Sequence, residues 1–140
     1  MAAVAQFTND PVSAAVSIST ANTNRDGSTG TYGTAYTFRA AGATTGGKGG
    51  RIDFITIVGT GASTTAGMVR MFIGSTMVRE IAVSALTPSA TVKGYTIPTS
   101  EGADSNGRLP LGIVCAPGDV VKFSTHNAEA FIVRVEGGEF

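Results

Sequence analysis

Apolar residues in this chain recur at every second position in short runs, and the runs stop at Gly, Pro, Asn or Asp. A period of two sends alternate side chains to opposite faces of an extended strand, one toward a core and one toward solvent. Val12, Ala14, Val16 and Ile18 alternate in this way with Ser13, Ala15, Ser17 and Ser19. Tyr32, Tyr36 and Phe38 fall on one face of the next segment. The run Ile52-Asp53-Phe54-Ile55-Thr56-Ile57-Val58 is apolar on both faces, the pattern of a central strand covered on both sides. Its β-branched content and the stop at Gly59 favour strand over helix.

Met68 to Ile73 and Met77 to Val83 read as a hairpin turning at Gly74-Ser75, where glycine supplies the positive φ of a tight II′ turn. Arg70, Arg79 and Glu80 lie within it as partners for cross-strand ion pairs, worth a few tenths of a kcal/mol each. Thr91 to Ile97 reads as a further strand, ended by Pro98. Leu109 to Ala116 and Val120 to Thr125 flank the turn Pro117-Gly118-Asp119. Phe131, Val133 and Val135 then alternate with Ile132 and Arg134. No long segment carries a 3.6-residue apolar stripe with caps; Thr64 to Ile73 comes nearest, and Gly67 counts against it. The expectation is an all-β fold, a β-sandwich or jelly roll of about eight to nine short antiparallel strands.

A chain of 140 residues fits one domain, with residues 1–10 as an N-terminal arm and 11–140 as the sandwich. Ala41 to Gly50 carries five glycines and reads as a mobile loop. Pro98 to Arg108 reads as a polar one. Long loops are uncommon unless functional or disordered, and partner contacts are expected there and on the arm. The candidates are Gln6, Phe7 and Asn9 on the arm, Arg25 and Asp26 in a turn, Lys48 in the glycine-rich loop, and Glu101, Asp104 and Arg108 in the polar loop.

Ten basic residues balance ten acidic ones without a basic stripe, which disfavours nucleic acid as a partner. Only 14% of residues are charged, below the roughly 25% of ordinary domains, as for a surface that partly faces other protein or, equally, for a thermally tolerant β-protein with small-residue loops. No run approaches the roughly 18 apolar residues that span a bilayer, and Met1 to Gln6 lacks the basic start of a secretory signal. Neither membrane contact nor an export route is therefore expected.

The residues offer little for catalysis. Cys115 stands alone in an apolar run and reads as a buried, inert thiol. His126 follows a strand and reads as an exposed turn residue; a Cys115–His126 dyad is conceivable, since both lie near strand ends, but Cys115 is better explained as core. One Cys and one His do not make a zinc site. Asn22-Thr23-Asn24-Arg25-Asp26-Gly27 resembles the first half of a calcium loop, but Gly33 stands where the bidentate Glu belongs. It reads as a turn. Gly59 to Gly67 lacks the Lys-Ser/Thr ending of a phosphate loop and reads as a link between strands. No carboxylate pair is singled out for glycoside hydrolysis. A non-enzymatic protein without cofactor or metal is expected.

Three segments carry a resemblance: Ala21-Asn22-Thr23-Asn24-Arg25-Asp26-Gly27, Thr65-Ala66-Gly67-Met68-Val69-Arg70-Met71-Phe72-Ile73 and Ser124-Thr125-His126-Asn127-Ala128-Glu129-Ala130-Phe131. In their order they resemble small virion-associated proteins of tailed phages, over roughly Val16 to Phe140. The resemblance implies a structural particle component, a capsid decoration (cement) protein that stabilises the phage head. It would be a homotrimer on the capsid surface, contacting the major capsid protein and made in the host cytoplasm. The alternative is a tail, baseplate or head-fibre module binding host-surface glycans, with Tyr32, Tyr36 and Tyr95 as the available aromatics.

Overall fold

The computed structural model describes residues 8–62 and 64–140. Eight strands follow one another: β1 (Asp10–Ile18), β2 (Gly33–Thr37), β3 (Gly50–Gly59), β4 (Gly67–Ile73), β5 (Thr76–Val83), β6 (Arg108–Cys115), β7 (Val120–Thr125) and β8 (Phe131–Glu139). They form two four-stranded sheets of order β1-β8-β3-β6 and β2-β7-β4-β5. Every strand pair is antiparallel. First pairs with last, second with seventh, third with sixth and fourth with fifth, so the chain is one long hairpin folded across two sheets. That is a jelly roll, within the β-sandwich class expected.

Register explains the core. Across the first sheet, Ala14, Val135, Ile55 and Leu109 form one inward row, and Val16, Val133 and Ile57 form the next. They meet Val69, Met71, Ile81, Val83, Val121 and Phe123 of the second sheet in one apolar cluster. A register shift between Ile52 and Phe54 lets Ile52, Ile55 and Ile57 all point inward. Phe54, Thr56 and Val58 then face outward and stay partly exposed. β3 is thus central in its sheet but covered by a second layer on one side only, which corrects the two-sided reading.

Other readings change too. Thr91 to Ile97 is not a strand: Tyr95 makes an isolated bridge to Val58, and Thr96 donates from its N–H and its hydroxyl to the Ile57 carbonyl. Pro98 to Arg108 is a polar loop as expected, with a 3-10 turn (Thr99–Glu101) leading to the buried Ala103, except that Arg108 already belongs to β6. In Ala41 to Gly50, Gly49 has φ +79°, and a Cβ there would collide with the Cys115 carbonyl oxygen. Glycine in that segment serves close backbone approach. A register shift between Thr34 and Tyr36 parts Tyr32 from its expected neighbours. Tyr32 packs edge-on against Phe72, and Tyr36 edge-on against Phe38, each pair with centroids 5.0 Å apart. Of the expected arm, Gln6 and Phe7 lie outside the described residues. Asn9 donates its N–H to Glu139 at 2.8 Å, and Asp10 opens β1, so both belong to the body.

One polar clasp joins the sheets. Glu139 of β8 is fully buried, accepts the Tyr36 hydroxyl at 2.6 Å and the Arg39 N–H at 3.1 Å, and lies 3.4 Å from the Arg39 guanidinium. Burial, then the bond to Glu139, pushes the Tyr36 phenol up to about 12. Among the described residues no helix is long and apolar enough to cross a membrane.

Candidate functional site

The candidate contact residues do not converge. Asn9 and Lys48 lie where β8 ends and β3 begins. Glu101, Asp104 and Arg108 lie at the opposite end of β3, since Arg108 pairs with Thr56 while Cys115 pairs with Gly50. Glu101 sits in the 3-10 turn. Asp104 accepts the N–H groups of Asn106 and Arg108, which makes it a local turn former. Arg25 and Asp26 belong to a strap that crosses the outer face of the second sheet.

That strap is built from its own side chains. Asn22, buried, donates to the carbonyls of Thr29 and Thr31 and accepts the N–H of Asn24. Asp26 accepts the hydroxyl and N–H of Thr29 and the N–H of Ser28, which lowers its carboxyl to about 2. These oxygens turn inward on the segment, so the calcium-like spelling encodes a turn. Among the described residues no group of three metal-binding side chains comes together. Lys122 fastens the strap, donating to the Gly27 carbonyl at 2.6 Å and lying 4.5 Å above the Tyr32 ring.

Beside the strap lies an open groove of about 600 Å³. Arg70, only 2% exposed, donates to Glu80 at 3.1 Å, to the Asn22 carbonyl at 3.3 Å and to His126 Nδ1 at 3.1 Å. Arginine can only donate, so Nδ1 accepts and a neutral ring carries its proton on Nε2. Glu80 also accepts from Arg25 at 3.1 Å. Arg70 and Glu80 are the cross-strand pair expected from the hairpin. His126 is exposed, as expected, but it is tied to the sheet through Arg70.

A second concavity, about 400 Å³, occupies the outer face of the first sheet. Register lays it out in rows. One row runs Ala15, Arg134, Thr56, Arg108 across β1, β8, β3 and β6. The next runs Ser17, Ile132, Val58 and, by its isolated bridge, Tyr95. Tyr95 is 37% exposed and Ile132 39%. Glu136 lies beside the arginine row, 2.9 Å from Arg108 and 3.8 Å from Arg134. The Arg108 guanidinium stacks 4.0 Å over Phe54, and its buried Nε has no partner among the described residues. Of the contact candidates among the described residues only Arg108 enters this trough. Ile132 and Arg134 were legible as the outward set of β8, and Tyr95 as one of three available aromatics; Glu136 was not singled out, and the strand read over Thr91 to Ile97 gave no sign that Tyr95 sits beside Val58.

Cys115 is buried at the end of β6 in the first sheet, while His126 sits on Arg70 in the second. Burial, with Asp119 adding to it, pushes the Cys115 thiol up to about 11, so it stays protonated at neutral pH. Gly59 to Gly67 joins β3 to β4. There the N–H and hydroxyl of Thr65 both donate to the Glu129 carboxylate. Both concavities hold side chains suited to gripping an anion or a polar surface. The chain matches no known protein family, and comparison with curated proteins and solved structures returns no match.

Proposed function

We propose that this chain is a non-enzymatic structural virion protein, a capsid decoration (cement) protein that sits on the phage head as a homotrimer in contact with the major capsid protein. One observation carries this reading: each edge strand of the first sheet carries charge only at its first residue, Asp10 on β1 and Arg108 on β6. β1 has no charged residue from Pro11 to Ile18, and β6 has none from Leu109 to Cys115. Val114 on β6 is 69% exposed. Sheet edges left open to solvent are normally guarded by lysine or inward charge against unwanted pairing. Neutral edges suit a chain whose edges are covered by copies of itself or by a shell, where closed symmetry hides them. Pro110 and the shift opposite Asp53 blunt β6 against simple strand addition, so the cover there is side-chain packing. The resemblance of the three quoted segments to phage virion proteins, and the low charged fraction, point the same way.

The test is to add purified protein to phage heads that lack it. Saturable binding at many copies per head, with trimers trapped by cross-linking on the particle, is the expected result. Binding that is absent, or limited to one vertex, refutes it.

The trough around Tyr95 favours a second reading, a module that binds host-surface glycans. Tyr32 is engaged by Phe72 and Lys122, and Tyr36 by Phe38 and Glu139. Of the three tyrosines Tyr95 is the most exposed, with Lys93 Nζ 5.9 Å from its ring centre.

A further inference from the structure

We propose that the trough on the outer face of the first sheet binds an acidic pyranose, with the sugar ring against Tyr95 and Ile132 and its carboxylate held by Arg108 and Arg134. This inference rests on the glycan reading of the same trough.

The apolar half is continuous. Val58 pairs with Ile132 on one side and bridges Tyr95 on the other, so two of the most exposed large apolar side chains form one strip. A pyranose presents a face of C–H groups, and the negative face of an aromatic ring attracts such weakly positive hydrogens. The Tyr95 ring is also held in place: a Cβ at Gly107 would lie 2.8 Å from Tyr95 Cγ, so the backbone closes against it. A ring positioned before the ligand arrives has less freedom to lose on binding.

The polar half has a surplus of positive charge and of donors. Arg108 and Arg134 share a single carboxylate, Glu136, which leaves the trio at net +1. A guanidinium has five N–H groups. Beyond Glu136, Arg134 donates to Ser13 at 2.7 Å, while Arg108, its side chain 41% exposed, donates through Nη2 to Glu136 alone; the buried Arg108 Nε is not among the donors open to a ligand. The two arginines lie on either side of Thr56, roughly 10 Å apart along the sheet at about 4.8 Å per strand. A planar carboxylate matches the spare guanidinium donors better than a neutral hydroxyl does. The volume, about 400 Å³, is at the small-ligand end of the usual range for binding sites. Tyr95 and Asn106 line it beside β6, which favours a compact ring over an extended acidic peptide.

The experiment titrates the isotope-labelled full chain with galacturonate, N-acetylneuraminate, galactose and an oligo-glutamate peptide, read by chemical-shift change. The same titrations are run on Tyr95→Ala and Arg134→Gln, both at partly exposed positions. The expected result is that acidic sugars shift Tyr95, Ile132 and Arg108 signals, that galactose binds at least tenfold more weakly, and that each variant loses about tenfold in affinity. Equal binding of galactose and the acids at the trough overturns the acidic preference and leaves the glycan reading standing. Binding of the peptide alone overturns both, as does no binding by any sugar.

Discussion

Replacing Tyr36 with phenylalanine isolates one bond that joins the two sheets. Tyr36→Phe keeps the ring and its edge-on packing against Phe38 and removes only the hydroxyl that Glu139 accepts at 2.6 Å. Glu139 is fully buried, so the carboxylate oxygen left behind is poorly placed to find another partner. The carboxylate keeps the Arg39 N–H and guanidinium, which limits the loss. A hydrogen bond to a charged group contributes about 1.5–3 kcal/mol. At roughly 3–4 °C per kcal/mol for a chain of this length, the midpoint should fall by about 5–10 °C. Calorimetry gives that midpoint, and urea unfolding should show a lower midpoint with an unchanged slope. The pH dependence adds a signed check. The folded-state phenol titrates above its ordinary value, so its contribution is complete below pH 10 and is lost as pH rises through about 12. The gap between wild type and Tyr36→Phe should therefore close over that window. A midpoint shift below about 2 °C, under the smallest loss expected for such a bond, would refute the clasp.

Ile57→Ala empties a fully buried inward position of β3 and should cost about 2–5 kcal/mol by urea unfolding; a cost below about 1 kcal/mol would contradict the core assignment. Asp26, its carboxyl lowered to about 2 chiefly by the Thr29 hydroxyl, holds the strap. The Ser28 and Thr29 amide signals should keep their native shifts above the ordinary value of 3.8 and move as pH falls through about 2; a midpoint at the ordinary value would show that the Asp26 turn is not formed. Val114→Lys, at an exposed edge position, should change stability by less than about 0.5 kcal/mol while abolishing trimer cross-linking on heads. Undiminished cross-linking would mean β6 is not an interface.

Most strands were legible because their inward sets repeat with period two, as in β1, β7 and β8. β3 misled because its extra residue at Asp53 shifts the phase. Outward Phe54 and Val58 then resemble a second buried face, though Phe54 is sheltered by an arginine rather than by another layer. Thr91 to Ile97 has strand composition, yet it is tied to β3 mainly at Tyr95 and Thr96. The site was less legible than the fold. Polar residues in loops drew attention, but Asp104 and Asp26 spend their oxygens on their own turns. The surfaces with spare donors lie on strand faces, and they form only when β8, β3 and β6 stand side by side. No single segment spells out that adjacency.

The most direct measurement is the copy number and position of this chain in intact particles, by quantitative mass spectrometry and cryo-electron microscopy of purified virions. The account predicts many copies in fixed proportion to the major capsid protein, as trimers on the head surface with β1 or β6 in contact. A chain found only in the tail, at a few copies per particle, or in no particle fraction would contradict it.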